Sequence, residues 1–393
     1  MADQKKPFFS TKDIDDLGSQ NSVKIEKKLL VDINQLAVGP MISEGTYSIV
    51  YEGLSKKFRD PQTMLHVDFG HVSSQNWKML RYFRKSREYK STPVAIKIIQ
   101  TDLSANVSQE LQEKFSREVS MLSRVNHESI VKFIGVSVDP TLMIITELMN
   151  GSTLQKFLWS TRPNCLDLKL SMSFALQISQ AMEYLHRNRI IHRDLKPSNL
   201  LLTEDKKKLK LADFGLAREE SDDEMSTEAG TYRWMAPELF NVEPLCLGVK
   251  KHYDHKVDVY SFSMVLWELI TNQTPFKGSN NIMVAYAAAM NRRPSTDNIP
   301  PQIATLLQSC WAENPQKRPE FYQISKFLEN FLLGICEQAS ELPEGQPSLL
   351  EAEYSRSKQE NEATDCLMSS RKQTKRQPKS LWLRFSSRFR HCL

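Results

Sequence analysis

The hydrophobic pattern of the chain changes near Leu154, and this change limits the folds that the chain can adopt. Upstream of it, short runs of β-branched and apolar residues alternate as strands do. These runs are Ala37–Ile42, Ile49–Tyr51, Val94–Ile99 and Leu142–Thr146. Downstream of it, apolar residues recur at helical spacing, as in Leu170–Arg187 and Val257–Thr271. A small β-rich half followed by a larger helical half predicts an α+β fold with two lobes.

Two exceptions to this division are informative. The β-rich half contains one apolar stripe at helical spacing, which predicts a single helix; its members are Leu111, Phe115, Val119 and Leu122. The helical half contains two short strand-like pieces, Leu200–Thr203 and Leu209–Leu211, around a Lys-rich turn. Patterning covers residues 36–335, so we expect one folded domain there, a polar lead-in over 1–35 and a disordered tail over 336–393.

The segment Ile190–Asn199 concentrates polar groups suited to phosphoryl transfer. It reads Ile-Ile-His-Arg-Asp-Leu-Lys-Pro-Ser-Asn, and Asp213 of an Asp-Phe-Gly sequence follows 19 residues after Asp194. Mg²⁺ prefers hard oxygen ligands and neutralises phosphate charge, which suits Asn199 and Asp213. A separate carboxylate has to accept a hydroxyl proton and orient the nucleophile, which suits Asp194. Lys196 is placed to meet the transferring phosphate.

These motifs resemble the signature of protein kinases. The string around Asp194 matches H-R-D-L-x-x-x-N, and the D-F-G that begins at Asp213 follows it in the expected order. The strand ending at Lys97 reads V-A-I-K and resembles the strand whose lysine holds the α- and β-phosphates. The resemblance makes Glu118 the helical partner of Lys97; an exposed helical carboxylate is the alternative. A second Asp-Phe-Gly at Asp68–Gly70 precedes Lys97, and we interpret it as a coincidence.

The resemblance also implies an adenine site. Thr146 corresponds to the gatekeeper, and the backbone carbonyl of Glu147 and the backbone amide of Met149 correspond to the groups that meet adenine. Four apolar residues are expected to enclose the ring, with ordinary core packing as the alternative. They are Ile42, Val50, Ala95 and Leu201.

The predicted phosphate-binding loop departs from the family pattern. That pattern has three glycines, whereas this chain has Ser43, Gly45 and Ser48 at the three positions, followed by Val50. Glycine lets a backbone approach phosphate without a Cβ, so the two serines predict weaker binding of ATP. Because the other site residues are intact, we expect an active enzyme. The alternative is a catalytically weak or silent pseudokinase scaffold.

Supporting and regulatory residues follow from the same resemblance. Glu238 of an Ala-Pro-Glu sequence is expected to pair with Arg318 and brace the activation segment. Asp258 is expected to hydrogen-bond the backbone of the catalytic loop. Arg193, which precedes the catalytic aspartate, suggests control by phosphorylation of the activation loop. The candidate positions are Ser226, Thr227 and Thr231.

The loop sequences narrow the class of kinase. With Lys196, the catalytic loop Asp-Leu-Lys-Pro-Ser-Asn resembles that of serine/threonine kinases. The sequence Gly230–Glu238 resembles that of the tyrosine-kinase-like group. Within that group the chain is similar to the plant Raf-like kinases, relatives of mitogen-activated kinase kinase kinases, and to their short, single-domain branch. We therefore expect phosphorylation of Ser and Thr in protein substrates with ATP and Mg²⁺ or Mn²⁺, in intracellular signalling. Dual specificity stays open.

Positive charge is confined to two segments of the chain. The net charge is +5, from 52 Lys+Arg and 47 Asp+Glu. Residues 371–393 carry eight bases and no acid, and residues 56–90 carry nine bases and three acids, which leaves a body of −9. The second segment lies in an insertion over 52–93 between predicted strands, far longer than a compact domain needs. A flexible insertion, a docking site for an acidic partner and a splicing or gene-model variant are its three readings; no nucleic-acid partner is expected.

The terminal segment 371–393 mixes bases with aromatic and apolar residues, among them Trp382 and Phe385. An anionic membrane surface, a calmodulin-like partner and no partner at all are its three readings. An acyl chain on Cys392 would supply a second membrane signal. The six cysteines show no C-x-x-C pair, and the N-terminus shows no leader and has Ala2 where myristoylation needs glycine. We expect a cytoplasmic protein, held peripherally at the plasma membrane by its tail.

Overall fold

The computed structural model describes residues 25–45, 47–56, 91–100, 105–220, 232–240 and 253–340. They divide into two compact units. The first unit comprises the described residues up to Thr153 together with Tyr184–Asp194 and those from Asn199 to residue 220. The second comprises Leu154–Glu183, Leu195–Ser198 and the described residues from 232 onward. A β-rich first unit and a helical second unit confirm the predicted α+β class.

The first unit is built on a five-stranded antiparallel sheet with the strand order β1-β2-β3-β5-β4. Its strands are β1 (Leu36–Glu44), β2 (Ser48–Lys56), β3 (Ser91–Ile99), β4 (Phe133–Ser137) and β5 (Met143–Glu147). The predicted helix is present as α1 (Ala105–Arg124) between β3 and β4. The sheet therefore carries Lys97 on its central strand.

Side-chain alternation gives this sheet two different faces. One face holds a buried apolar cluster of Val94, Ile96, Met143 and Ile145. The other face carries Lys97 and Ala95, since alternate residues of a strand share a face. The strand register sets Val50 opposite Lys97 and Thr146 opposite Ala95. Four of the residues predicted to bind nucleotide thus lie on one face, opposite the apolar cluster.

The described end of the predicted lead-in packs on the apolar face of the sheet. Leu30 forms a parallel bridge with Val136 of β4, and the backbone amide of Val31 donates to the Val136 carbonyl at 2.8 Å. Val31 and Ile33 pack against the buried cluster. Residues 25–35 are therefore part of the fold of the first unit, because their apolar side chains cover a face that would otherwise be exposed. The sequence predicts a polar lead-in over 1–35, and its apolar members Leu30, Val31 and Ile33 are the residues that pack on the sheet.

The hairpin of β2 and β3 is longer than its apolar pattern indicates. The ladder continues through Ser55 opposite Thr92 to Lys56 opposite Ser91. Residues 52–56 and 91–93 therefore belong to strands and not to the predicted insertion. The remaining 57–90, with the second Asp-Phe-Gly, lie outside the described residues.

Two short antiparallel strand pairs complete the first unit. β6 (Ile190–Ile191) pairs with β9 (Arg218–Glu219), and β7 (Leu200–Leu202) pairs with β8 (Leu209–Leu211). They bring the chain on both sides of the predicted catalytic and metal residues back to the same unit. Asp194 and Asn199 lie between β6 and β7, and Asp213 lies between β8 and β9.

Helices form the second unit. They are α2 (Leu154–Thr161), α3 (Leu168–Arg187, whose last turn belongs to the first unit), α4 (Lys256–Thr271), α5 (Asn281–Ala289), α6 (Pro301–Cys310) and α7 (Phe321–Ser340). Every residue of α4 from Lys256 to Ile270 is buried, including the charged Lys256, Asp258 and Glu268. None of the helices in the described ranges is both long and apolar enough to span a membrane.

Candidate active site

A cluster of one cation and two carboxylates lies at the centre of the first unit. Lys97 Nζ lies 2.7 Å and 2.9 Å from the two oxygens of Glu118 and 3.0 Å from Asp213 Oδ1. Glu118 is 5% exposed because it stands on α1 beside buried apolar residues of the same helix, Phe115, Val119 and Leu122. The lysine on β3 is thus bound to α1 and to the Asp-Phe-Gly segment at once.

The charges around Lys97 keep its side chain ionised. Burial by itself lowers the pKa of Lys97, but the charges of Asp213 and Glu118 outweigh that effect, and the pKa is raised. Burial raises the pKa of the Glu118 carboxyl, and the charge of Lys97 acts against that rise. Lys97 is therefore a protonated ammonium at neutral pH. A fixed cation of this kind is suited to bind a polyanion.

The chain around Asp194 and Asp213 is held in an unusual backbone conformation. Arg193 has φ 68° and Asp213 has φ 62°, both in the left-handed region that non-glycine residues rarely adopt. His192 is fully buried and connects the two segments. Its Nδ1 accepts from the Asp194 amide at 3.3 Å, its Nε2 lies 3.3 Å from the Ala212 carbonyl, and its ring meets Phe214 edge-on at 5.2 Å. Such strain is held by surrounding structure and is common at functional sites.

Asn199 is oriented by Asp194. Its Nδ2 donates to the Asp194 carbonyl at 2.8 Å and to Asp194 Oδ2 at 2.9 Å. With the amide nitrogen directed at Asp194, Oδ1 is the atom of Asn199 suited to a cation. Mg²⁺ at a phosphate site is held by one or two protein oxygen ligands together with phosphate oxygens, so Asn199 and Asp213 fit that ion. No group of three His, Cys, Asp or Glu side chains in the described part of the chain is arranged to hold a metal.

The predicted adenine residues lie on β1, β2, β3, β5 and β7, except Met149, which comes two residues after the end of β5. Met149 and Leu201 are half-buried, whereas Ile42 is 45% exposed on β1. Two loop residues, Ser43 and Gly45, are also exposed, whereas Ser48 is half-buried. The Gly45 amide donates to the Ser48 carbonyl at 2.8 Å, which closes the turn between β1 and β2. The structure therefore leaves the predicted phosphate loop accessible, with its backbone fixed at one point.

The second unit contains the predicted ion pair of Glu238 and Arg318. Arg318 Nη1 and Nη2 lie 2.5 Å and 2.9 Å from the two carboxylate oxygens, and the arginine side chain is fully buried. Sequence reasoning missed two further members of this network. Lys256 Nζ donates to the Arg318 carbonyl at 2.7 Å and pairs with Glu320 at 2.6 Å. No local sequence pattern indicates these contacts, because Lys256 is far from Arg318 and Glu320 along the chain.

Two other predicted residues lie in the described part of the second unit. Asp258 is fully buried in the first turn of α4, and Lys196 is half-buried. The predicted regulatory residues lie outside the described residues: Ser226, Thr227 and Thr231.

Comparison with known proteins places these features in a family. A family model described as "Protein tyrosine and serine/threonine kinase" matches residues 39–328. The chain is 36% identical over 305 residues to the Serine/threonine/tyrosine-protein kinase HT1 of Arabidopsis thaliana. The matched residues make up 76% of this chain and 67% of that protein. It is 37% identical over 248 residues to the Serine/threonine-protein kinase STY17 of the same plant, covering 62% of this chain and 41% of that one. A Mitogen-activated protein kinase kinase kinase of Drosophila melanogaster is 35% identical over 254 residues, 62% of this chain and 21% of its own length.

Proposed function

The chain belongs to the protein tyrosine and serine/threonine kinase family and groups with the plant Raf-like serine/threonine kinases. From that premise we propose that it transfers the γ-phosphoryl group of ATP to Ser and Thr hydroxyls of protein substrates. One observation carries the proposal. Lys97 is bound to both Glu118 and Asp213, and Asn199 is held by Asp194, so that five groups of the predicted site are ordered within one unit. Phosphoryl transfer depends on this kind of positioning and charge stabilisation.

The charged cluster supplies the phosphate-binding part of the reaction. Lys97 binds the α- and β-phosphates of ATP, and Glu118 fixes the direction of the ammonium. Asn199 Oδ1 and the Asp213 carboxylate would hold Mg²⁺, which would supply positive charge to neutralise the phosphates. Because Lys97 also contacts Asp213, the nucleotide and metal parts of the site are coupled through one side chain.

Asp194 acts on the accepting hydroxyl. Its carboxylate orients the Ser or Thr oxygen in line with the γ-phosphorus and accepts the hydroxyl proton. The Asn199 amide donates to one of the Asp194 oxygens and so limits the directions in which the carboxylate can point. Lys196, two residues along the chain, offsets charge on the transferring phosphoryl group.

The rival hypothesis is a silent scaffold, and its basis is the pair of serines in the phosphate loop. Both serines are small, Ser43 is exposed and Ser48 half-buried, and the Gly45 backbone between them is fixed by its contact with Ser48. The intact set of charged residues favours catalysis over a scaffold. Weaker binding of ATP is the expected consequence of the serines, not loss of transfer.

Transfer of radiolabelled phosphate from ATP-Mg to a generic protein substrate tests the proposal. The full chain is compared with Asp194→Asn, which keeps the size of the side chain and removes its charge. We expect the variant to lose at least about 100-fold in rate, the usual contribution of a positioned base. Both proteins should still bind ATP. Equal rates of transfer from the two proteins would remove the enzymatic proposal.

We further propose that residues 371–393 attach the protein to anionic membrane surfaces. The segment carries eight bases and no acid, interleaved with aromatic residues such as Trp382 and Phe385. Each base near an anionic surface contributes about 1 kcal/mol, and aromatic rings favour the interface. Flotation of the full chain with phosphatidylserine vesicles should exceed that of a chain ending at residue 370. Equal flotation, or binding to calcium-loaded calmodulin in place of vesicles, would contradict the membrane proposal.

A further inference from the structure

One lysine of β8 is bound to the end of β5, where adenine is expected to bind. Lys210 Nζ lies 2.7 Å from Glu147 Oε1, and the same oxygen accepts the backbone amide of Lys132 at 2.7 Å. The side chains of Lys210 and Glu147 are 22% and 28% exposed, so water screens their pairing only in part. The Glu147 amide in turn donates to the Lys132 carbonyl at 3.0 Å. Glu147 is thus held through its side chain and its backbone.

A second set of contacts fastens the residues that follow Glu147 to the hairpin of β7 and β8. The Gly151 amide donates to the Leu202 carbonyl at 2.9 Å, and the Leu202 amide donates to the Ser152 carbonyl at 2.9 Å. Lys206 Nζ, from the turn of the hairpin, donates to the Gly151 carbonyl. The two bonds between Gly151, Ser152 and Leu202 are main-chain pairings of the kind that join adjacent strands.

Gly151 shows how close the two segments are. A Cβ at this position would lie 2.1 Å from the Thr203 carbonyl oxygen and 2.3 Å from that of Leu202. Both are backbone atoms that cannot move aside, so no side chain fits without separating the segments. The glycine is required by the close approach of two backbones.

The lysine also connects three parts of the proposed nucleotide site. Lys210 is paired with Leu201 across the hairpin, and Leu201 is one of the residues expected to enclose adenine. Asp213 follows three residues after Lys210 on the same strand exit. Glu147 supplies the carbonyl expected to meet adenine. The ion pair of Lys210 and Glu147 therefore connects three features of the proposed site. They are the backbone carbonyl expected to meet adenine, the hairpin that carries Leu201, and the segment that leads to Asp213.

We propose that Glu147, Gly151, Leu202 and Lys210 form a hinge latch that fixes residues 147–152 against β7 and β8 and so sets the affinity for adenine nucleotide. Lys210 is a positioning residue in this arrangement: it acts through Glu147 and through the strand that carries Leu201, not on the transferred phosphate. The inference rests on the proposed kinase function, since it assumes that adenine meets the Glu147 carbonyl.

Steady-state kinetics of the full chain test the hinge latch through three variants. Lys210→Met removes the charge and retains most of the length, and we expect the KM for ATP to rise about fivefold with kcat changed less than twofold, the effect of a partly screened ion pair. Lys210→Arg keeps the charge and should restore the KM to near the original value. Lys208→Met alters an exposed lysine of the same hairpin and should leave both constants unchanged.

A double-variant cycle tests whether Lys210 acts through Glu147. Glu147→Gln keeps an oxygen for the Lys132 amide and removes the charge. If the pair acts as a unit, Lys210→Met should add little to the KM of Glu147→Gln. Additive effects, an unchanged KM in Lys210→Met, or equal loss of kcat and melting temperature in Lys210→Met and Lys210→Arg would overturn the hinge latch.

Binding of ADP, measured by calorimetry without turnover, separates this proposal from the previous one. If the unaltered chain transfers no phosphate but Lys210→Met weakens ADP binding about fivefold, the kinase function fails and the hinge latch stands. If transfer proceeds and ADP binding is the same in Lys210→Met and the unaltered chain, the hinge latch alone is wrong.

Discussion

Two glycines of the first unit show how differently single residues are constrained. An added Cβ at Gly151 would enter the backbone of the neighbouring hairpin, whereas one at Gly45 would meet only Ser48 atoms at 3.5 Å and 3.8 Å, ordinary contact distances. Folding of the protein therefore explains the first glycine but not the second. We propose that close approach of phosphate accounts for Gly45, because a Cβ there would stand between the backbone and a bound nucleotide.

This contrast leads to a prediction for Gly45→Ala. We expect the melting temperature to stay unchanged, since the methyl group has room, and the KM for ATP to rise severalfold. Thermal unfolding and steady-state kinetics of the same preparation measure both quantities. Gly334→Ala is the matched control, because its Cβ would meet nothing within 4 Å on a helix of the second unit. An unchanged KM in Gly45→Ala would mean that the loop does not approach phosphate.

Among single residues, motif positions could be anticipated and contact positions could not. The residue types that phosphoryl transfer demands single out Asp194 and Asp213, and the resemblance of Val94–Lys97 to a kinase motif singles out Lys97. Lys210 and Lys256 belong to contacts with residues 63 and 64 positions away in sequence. Nothing in a local pattern indicates such pairs, since the sequence around a lysine does not show which distant residue the lysine contacts.

At the scale of elements, sequence periodicity located the long strands and the main helices of the fold. It missed β6 and β9, which have two residues each and exist only because they pair with one another over 26 residues or more of chain. It also missed β4, whose short run carries a glycine at residue 135. That glycine admits the Val31 side chain, 2.4 Å from where a Cβ would stand. Tertiary contact, not local propensity, determines these elements.

The docking of residues 25–35 leads to a prediction at this scale. Val31→Ser should lower the free energy of unfolding by about 1 kcal/mol, because it removes apolar contact with the buried cluster of the sheet. Lys28→Ser, an exposed position in the same segment, should change it by less than about 0.5 kcal/mol. Urea denaturation of the full chain measures both. Equal stability of the two variants would indicate that residues 25–35 contribute little to the fold and are only loosely attached to the sheet.

At the scale of the whole molecule, charge and catalysis are separated along the chain. The family match covers residues 39–328 and ends before the basic segment 371–393. Every residue of the proposed site falls within the matched range. The net charge of +5 therefore reflects segments other than the acidic body that carries the proposed chemistry.

The central claim is that this chain phosphorylates Ser and Thr in spite of the two serines in its phosphate loop. Identification of the labelled amino acids, after acid hydrolysis of a protein substrate incubated with the full chain and labelled ATP-Mg, tests it most directly. We predict phosphoserine and phosphothreonine from the unaltered chain and neither from Asp194→Asn at matched protein concentration. Absence of both from the unaltered chain, or the same labelling from the two proteins, would contradict the claim.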